Sequence, residues 1–187
     1  TYEKMRRLFR VKHGYSKRKQ SWINGGYHGL FVYGWVKKYR PKTVIDIGTC
    51  WGFSALCAAL AYDELHMDGC VDTIDIKIHN NHGSDPYFDE IRKSFVREHV
   101  GPSRRILPQI VSTEVEFAIV DGGHSYADVQ FDIRFLVNRL SKNGAILLDD
   151  CVDDYAGVQK AAAQSETRYG LKFRTFYRLG LLTWDSL

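Results

Sequence analysis

Four short apolar runs, rich in β-branched residues, constrain this chain most: residues 43–48 (TVIDIG), 71–76 (VDTIDI), 115–121 (VEFAIVD) and 145–150 (AILLDD). Each carries an aspartate at or beside its end. A strand that is apolar without alternation is buried on both faces, which is the situation of a parallel sheet covered by helices. Between the runs lie segments at helical spacing. Residues 53–61 (FSALCAALA) are small and apolar, and Phe88, Ile91 and Phe95 recur at steps of three or four, with Gly101 as a stop. Tyr126, Val129, Ile133, Leu136 and Leu140 do the same behind a Ser125-x-x-Asp128 start that resembles a capping box. Residues 24–40 form a further helix, with Tyr27, Leu30, Phe31, Gly34 and Trp35 as its apolar face and Pro41 as its stop. Another helix covers 155–169 and ends at Gly170.

Strand and helix therefore alternate. The expected fold is α/β, a Rossmann-like, doubly wound, mainly parallel seven-stranded sheet with a terminal antiparallel strand. Residues 104–109 (RRILPQ) are assigned to strand 3. Asn143-Gly144 is expected to turn the chain into the run at 145–150. Residues 171–184 are expected to close the sheet as two strands around Leu179-Gly180. In such sheets ligands bind at the carboxyl ends of the strands, near the switch in strand order.

At 187 residues the chain fits one domain. No run of about 18 apolar residues is present, so no membrane-spanning helix is expected. The four cysteines contain no C-x-x-C pair, and the first residues lack the apolar core of a signal peptide, which points to a cytoplasmic setting. Charge is uneven. Residues 1–42 carry twelve Lys/Arg against one acid, whereas the remainder carries fourteen against 21 acids. A basic N-terminal arm, residues 1–23, thus precedes a domain at 24–187. The arm is either a solvated segment or a contact for an anionic partner, nucleic acid included.

The first run leads into Asp46-Ile47-Gly48-Thr49-Cys50-Trp51-Gly52-Phe53-Ser54. Its spacing is D-x-G-x-x-x-G rather than the G-x-G-x-x-G of nicotinamide enzymes. The second run ends at Asp75, 23 residues after Gly52, where a carboxylate can accept from both hydroxyls of a ribose. On residues alone these also suit a structural turn with Asp75 capping a loop. The combination resembles motif I and the ribose-binding acid of class I S-adenosylmethionine-dependent methyltransferases, over roughly residues 24–185. That resemblance implies S-adenosylmethionine as cofactor, with Gly48 and Gly52 along its methionine part, Asp46 toward its amino group and Asp75 on the ribose. Trp51, Ser54 and Asp121 complete the candidate cofactor set. The acid that contacts adenine after strand 3 in the family has no evident counterpart at 111–116 (VSTEVE).

The third run leads into Asp121-Gly122-Gly123-His124-Ser125-Tyr126 and the fourth ends in Asp149-Asp150. If these strands are neighbours, about 4.8 Å apart, their carboxylates repel unless a proton or cation joins them. Oxygen ligands suit a hard divalent ion, Mg²⁺, Ca²⁺ or Mn²⁺. The D-G-x-H-S-Y stretch with an L-L-D-D strand end resembles the metal-dependent O-methyltransferases of the methyltransferase 24-like type. It implies Asp121, Asp149 and Asp150 as metal ligands and His124 as general base, acting on a hydroxyl of a small molecule or sugar. Asp150 departs from catechol-type relatives, which usually carry Asn there. The polar loop at 77–85, with His79 and His82, reads as a substrate-facing lid. A nucleic-acid-directed methyltransferase, a non-catalytic cofactor-binding module and a homo-oligomer are the alternatives kept open.

Overall fold

The computed structural model describes Lys4 and residues 21–50, 52–77, 86–112 and 114–184, with residues 21–26 as backbone only. Trp51, His79, His82 and most of the basic arm lie outside the described residues. Helix α1 (Ser21–Tyr39) starts three residues before its expected point. It is followed by β1 (Thr43–Ile47), α2 (Phe53–Leu65), β2 (Cys70–Asp75), α3 (Pro86–Phe95), β3 (Val96–Val100), α4 (Ser103–Ile110) and β4 (Val115–Val120). The chain continues through α5 (Tyr126–Val137), β5 (Leu140–Leu148), a 3₁₀ turn (Asp153–Tyr155), α6 (Ala156–Tyr169), β6 (Lys172–Phe176) and β7 (Leu179–Thr183).

The seven strands form one sheet in the order β3-β2-β1-β4-β5-β7-β6. β3, β2, β1, β4 and β5 pair in parallel, and β7 runs antiparallel between β5 and β6. Side chains alternate across the pleat. Val44, Phe117, Ile119, Ala145 and Leu147 therefore meet α1, α2 and α3 on one face. Ile45, Ile47, Ala118, Val120, Ile146 and Leu148 meet α4, α5 and α6 on the other. Both faces are covered, so the strands need no polar alternation. Helix α2 is buried without interruption from Phe53 to Tyr62, sandwiched between sheet and helices, and accordingly has no polar stripe at its centre. Among the described residues no helix is long and apolar enough to cross a membrane.

Four expectations need correction. Residues 104–109 are not a strand; they lie in α4, which buries Ile106 and Leu107. The third strand is Val96–Val100, expected to be the end of a helix. It is an edge strand whose polar side chains pair sideways, His99 Nε2 with Asp72 Oδ1 at 2.7 Å and Glu98 with Arg92 at 3.2 Å. No apolar run marks such an edge. The closing turn is Tyr177-Arg178, with Tyr177 at φ 57, rather than Leu179-Gly180. Asn143-Gly144 lies within β5, as part of a register shift against β4 rather than a separate turn.

The face of α1 is also rotated. Among its described residues His28, Gly29, Val32, Trp35 and Val36 are buried, while Tyr27 and Leu30 are 50% and 46% exposed. The cause is Gly29, where a Cβ would lie 2.1 Å from the Phe53 ring, so α1 approaches α2 through the glycine. Tyr27 instead meets Tyr177, and Phe31 meets Phe176, each at 5.1 Å between ring centroids.

Candidate functional site

Strand order reverses between β1 and β4, and the turns that leave them sit side by side. The β1 turn is pinned from both sides. Gly48 N and Thr49 N donate to the Ile74 carbonyl at 2.8 and 3.2 Å, and Asp121 N donates to the Ile47 carbonyl at 2.8 Å. Gly48 has φ +100, and a Cβ there would stand 2.1 Å from the Asp121 carbonyl oxygen. Only glycine lets these two strand ends close.

Beneath the turn Asp46 is fully buried. Ser54 Oγ donates to its two oxygens at 2.9 and 3.0 Å and Thr73 Oγ1 donates at 2.8 Å. Burial raises the proton affinity of Asp46, and the Thr73 and Ser54 hydrogen bonds oppose it. Asp46 and Ser54 thus brace the turn from behind, and Gly52 begins α2 in a left-handed conformation. Asp75, at the end of β2, accepts from Cys50 N at 2.7 Å and Lys77 N at 3.2 Å. It holds the turn and also faces the cavity.

That cavity is about 450 Å³, lined by Gly48, Cys50, Asp75, Gly101, Ser103, Arg104, Asp121, Asp128 and Asp132 among others. The size lies within the range of small-molecule sites. Gly48, Asp75 and Asp121 belong to the candidate set read from sequence. Ser103, Arg104 and Asp132 do not. The first two follow the true β3 and were hidden by the wrong strand assignment. Asp132 is 1% exposed, with one oxygen lacking a hydrogen-bond partner. Burial pushes its carboxyl up to about 6, with a Ser103 hydrogen bond acting against the shift.

At the neighbouring rim, Asp149 N donates to the Val120 carbonyl, which sets the end of β5 beside that of β4. Asp121, His124, Asp149 and Asp150 all gather here, as the sequence suggested. They form two clusters that share Asp121: one with His28 and Asp149, the other with His124 and Asp150, each offering donor atoms within 4.8 Å of one another. His28 Nδ1 lies 2.9 Å from Asp149 Oδ2. His124 Nε2 lies 3.1 Å from Asp150 Oδ2 and 3.9 Å from Asp121 Oδ1. The His124 ring stacks on Tyr155, 4.4 Å between centroids. Asp150 also receives the Arg178 guanidinium on Oδ1, and its amide donates to Asp149 Oδ1 at 2.8 Å.

The charges divide unequally. Burial, then the charge of Asp149, raise Asp121 well above the usual carboxylate range. Burial pushes Asp149 up too, but the His28 contact and charge, the Asp150 amide and Arg178 outweigh it and hold it low. Burial pulls the His28 imidazole down, and Asp149, then the charge of Asp121, overcome that and raise it. The rim is a place where positive charge is stabilised. His28 and Arg178 were not singled out from the sequence. The face assigned to α1 there turned His28 away from the sheet.

A family model described as a methyltransferase domain matches residues 45–151, from β1 to just past β5. A protein from Sinorhizobium fredii (strain NBRC 101917 / NGR234), the uncharacterized protein y4gI, is 28% identical over 179 residues, covering 89% of this chain. The chain spans only 19% of that relative's length. Among solved structures, the O-methyltransferase NovP superposes with a TM-score of 0.76 at 12% identity, over 98% of each chain. The methyltransferase PaMTH1 of Podospora anserina, solved with S-adenosylhomocysteine, gives 0.71 at 15% identity, over 97% of this chain and 88% of its own. These structural likenesses speak to the fold.

Proposed function

This chain belongs to the methyltransferase-domain family, and from that premise we propose that it moves a methyl group from S-adenosylmethionine to a hydroxyl oxygen of a small molecule or sugar, assisted by a divalent cation and a histidine base. The observation that carries the proposal is the adjacency of two features. A cavity of cofactor size opens at the β1/β4 switch point, and Asp121 belongs both to its wall and to the acidic rim. Structural neighbours whose names describe O-methyltransferases support the oxygen acceptor. The cofactor bound by the PaMTH1 structure supports S-adenosylmethionine.

In this reading Gly48 and Asp121 flank the methionine part of the cofactor, Asp75 takes the ribose, and Ser103, Arg104 and Asp132 surround the base. Asp46 and Ser54 act through the turn they brace. Trp51 and Gly52 are proposed as members of the same turn. The rim fits a divalent cation by its chemistry. Asp121, Asp149 and Asp150 offer carboxylate oxygens, and burial, with the charge of Asp149 added to it, raises the proton affinity of Asp121. When bound, S-adenosylmethionine supplies a methyl on a sulfonium, and the cation lowers the pKa of an acceptor hydroxyl.

The chain's own residues then position and deprotonate. His124 Nε2 is buried and makes no hydrogen bond of good geometry, which leaves it free to accept the hydroxyl proton. Asp150 beside it steadies the resulting imidazolium, and Tyr155 fixes the plane of the ring. The acceptor oxygen would take the methyl group, S-adenosylhomocysteine would leave, and the hydroxyl proton would rest on His124 before passing to water.

The test is release of S-adenosylhomocysteine over a panel of sugar-nucleotide and phenolic acceptors, with Mg²⁺ or Mn²⁺ and then with chelator. Turnover on one acceptor class, lost with chelator and reduced by about a hundredfold or more in His124→Ala, is the expected result. Turnover unaffected by chelator and by His124→Ala contradicts the cation and the base.

A further inference from the structure

We infer that His28, on a helix outside the segment matched by the methyltransferase family model, is itself a cation ligand, so that the rim is a nitrogen-containing His28–Asp121–Asp149 centre. The inference rests on the proposal that the rim binds a divalent cation, and it narrows which one.

The two clusters at the rim are not equivalent. In the Asp121–His124–Asp150 cluster, the Arg178 guanidinium already bonds Oδ1 of Asp150, and His124, 3.1 Å from Oδ2, is 35% exposed. A guanidinium keeps its charge at any relevant pH, so Asp150 has little left to give a metal. The His28–Asp121–Asp149 cluster has no such fixed cation. His28 is 6% exposed and Asp149 8%. Although Nδ1 comes within 2.9 Å of Asp149 Oδ2, neither nitrogen of His28 makes a hydrogen bond of acceptable geometry. A buried imidazole without well-formed hydrogen bonds is costly unless something else takes its lone pair or proton. It is held among two carboxylates, with donor atoms within 4.8 Å of one another.

The placement has a structural cause. Gly29 lets α1 close onto Phe53. That contact turns the preceding residue, His28, toward the sheet rather than toward solvent. The imidazole therefore reaches the rim from the helix layer, and Asp121 and Asp149 reach it from the strand ends. Donors from three elements converge on one point.

The consequence is selectivity. Carboxylates alone suit Mg²⁺ and Ca²⁺, whereas an imidazole adds preference for Mn²⁺, Fe²⁺, Co²⁺ or Zn²⁺. The metal-free chain is titrated calorimetrically with MnCl₂ and with MgCl₂. The Mn²⁺-loaded chain is then examined by pulsed electron paramagnetic resonance for coupling to a ¹⁴N nucleus.

Expected are Mn²⁺ binding about tenfold or more tighter than Mg²⁺, and a nitrogen coupling that survives His124→Gln. In His28→Gln the coupling disappears and Mn²⁺ affinity falls by about tenfold or more, with Mg²⁺ affinity changing far less. Should His28→Gln fail to fold, the wild type and His124→Gln still decide the question. Bound Mn²⁺ without nitrogen coupling, or coupling abolished by His124→Gln, overturns the role of His28 and leaves an all-oxygen or His124-containing site. No binding of either metal to the wild type overturns the cation reading together with it.

Discussion

Asp132 gives the sharpest physical prediction. Its carboxyl lies in the cavity wall, 1% exposed. Burial dominates its environment, and the nearby charge of Asp128 adds to it, while Ser103 and Arg104 oppose. The folded pKa is pushed from an ordinary 3.8 up to about 6. The folded chain therefore holds this proton more tightly than the unfolded one. The associated stability is fully present below pH 3.8 and is lost as pH rises through 6. The span of about two pH units corresponds to about 3 kcal/mol at 1.36 kcal/mol per unit. Asp132→Asn keeps the shape and has no proton to lose. Its stability relative to wild type should rise by about 2–3 kcal/mol between pH 3.5 and pH 8, with most of the change between pH 4 and 6. Urea denaturation of both proteins across that range measures it, since the other carboxylates cancel in the difference. A difference that stays flat to within about 0.5 kcal/mol refutes the buried-acid reasoning.

Gly48→Ala puts a side chain at φ +100 and a Cβ 2.1 Å from the Asp121 carbonyl oxygen. The strain and the forced parting of β1 from β4 should cost more than about 3 kcal/mol in chemical denaturation and abolish cofactor binding. Arg178→Ala removes the guanidinium from Asp150 and should lower stability by about 1–3 kcal/mol in chemical denaturation, with Arg178→Lys recovering part of it.

Much of this was legible in the sequence, and the gaps have identifiable causes. The four apolar runs predict β1, β2, β4 and β5, because strands buried on both faces show little but apolar side chains. The aspartates at their ends, with Gly48 and His124, fall where the parallel topology puts them. The edge strand Val96–Val100 was unreadable because its polar residues pair with neighbouring elements, His99 with Asp72 of β2 and Glu98 with Arg92 of α3. Missing it displaced the loop after β3 and hid Ser103 and Arg104. His28 escaped for another reason. Periodicity finds the more apolar face of α1, whereas Gly29 selects the face that can come closest to Phe53. Close approach, rather than hydrophobicity, decided which side of that helix went inside.

The central claim is that the cavity at the β1/β4 switch point is a cofactor site anchored by Asp75. Calorimetric titration of the chain with S-adenosylhomocysteine tests it most directly, beside Asp75→Ala. Binding in the micromolar range, weakened by about tenfold or more in the variant, is what the account predicts. An absence of binding by the wild type, or equal affinity in both proteins, would contradict it.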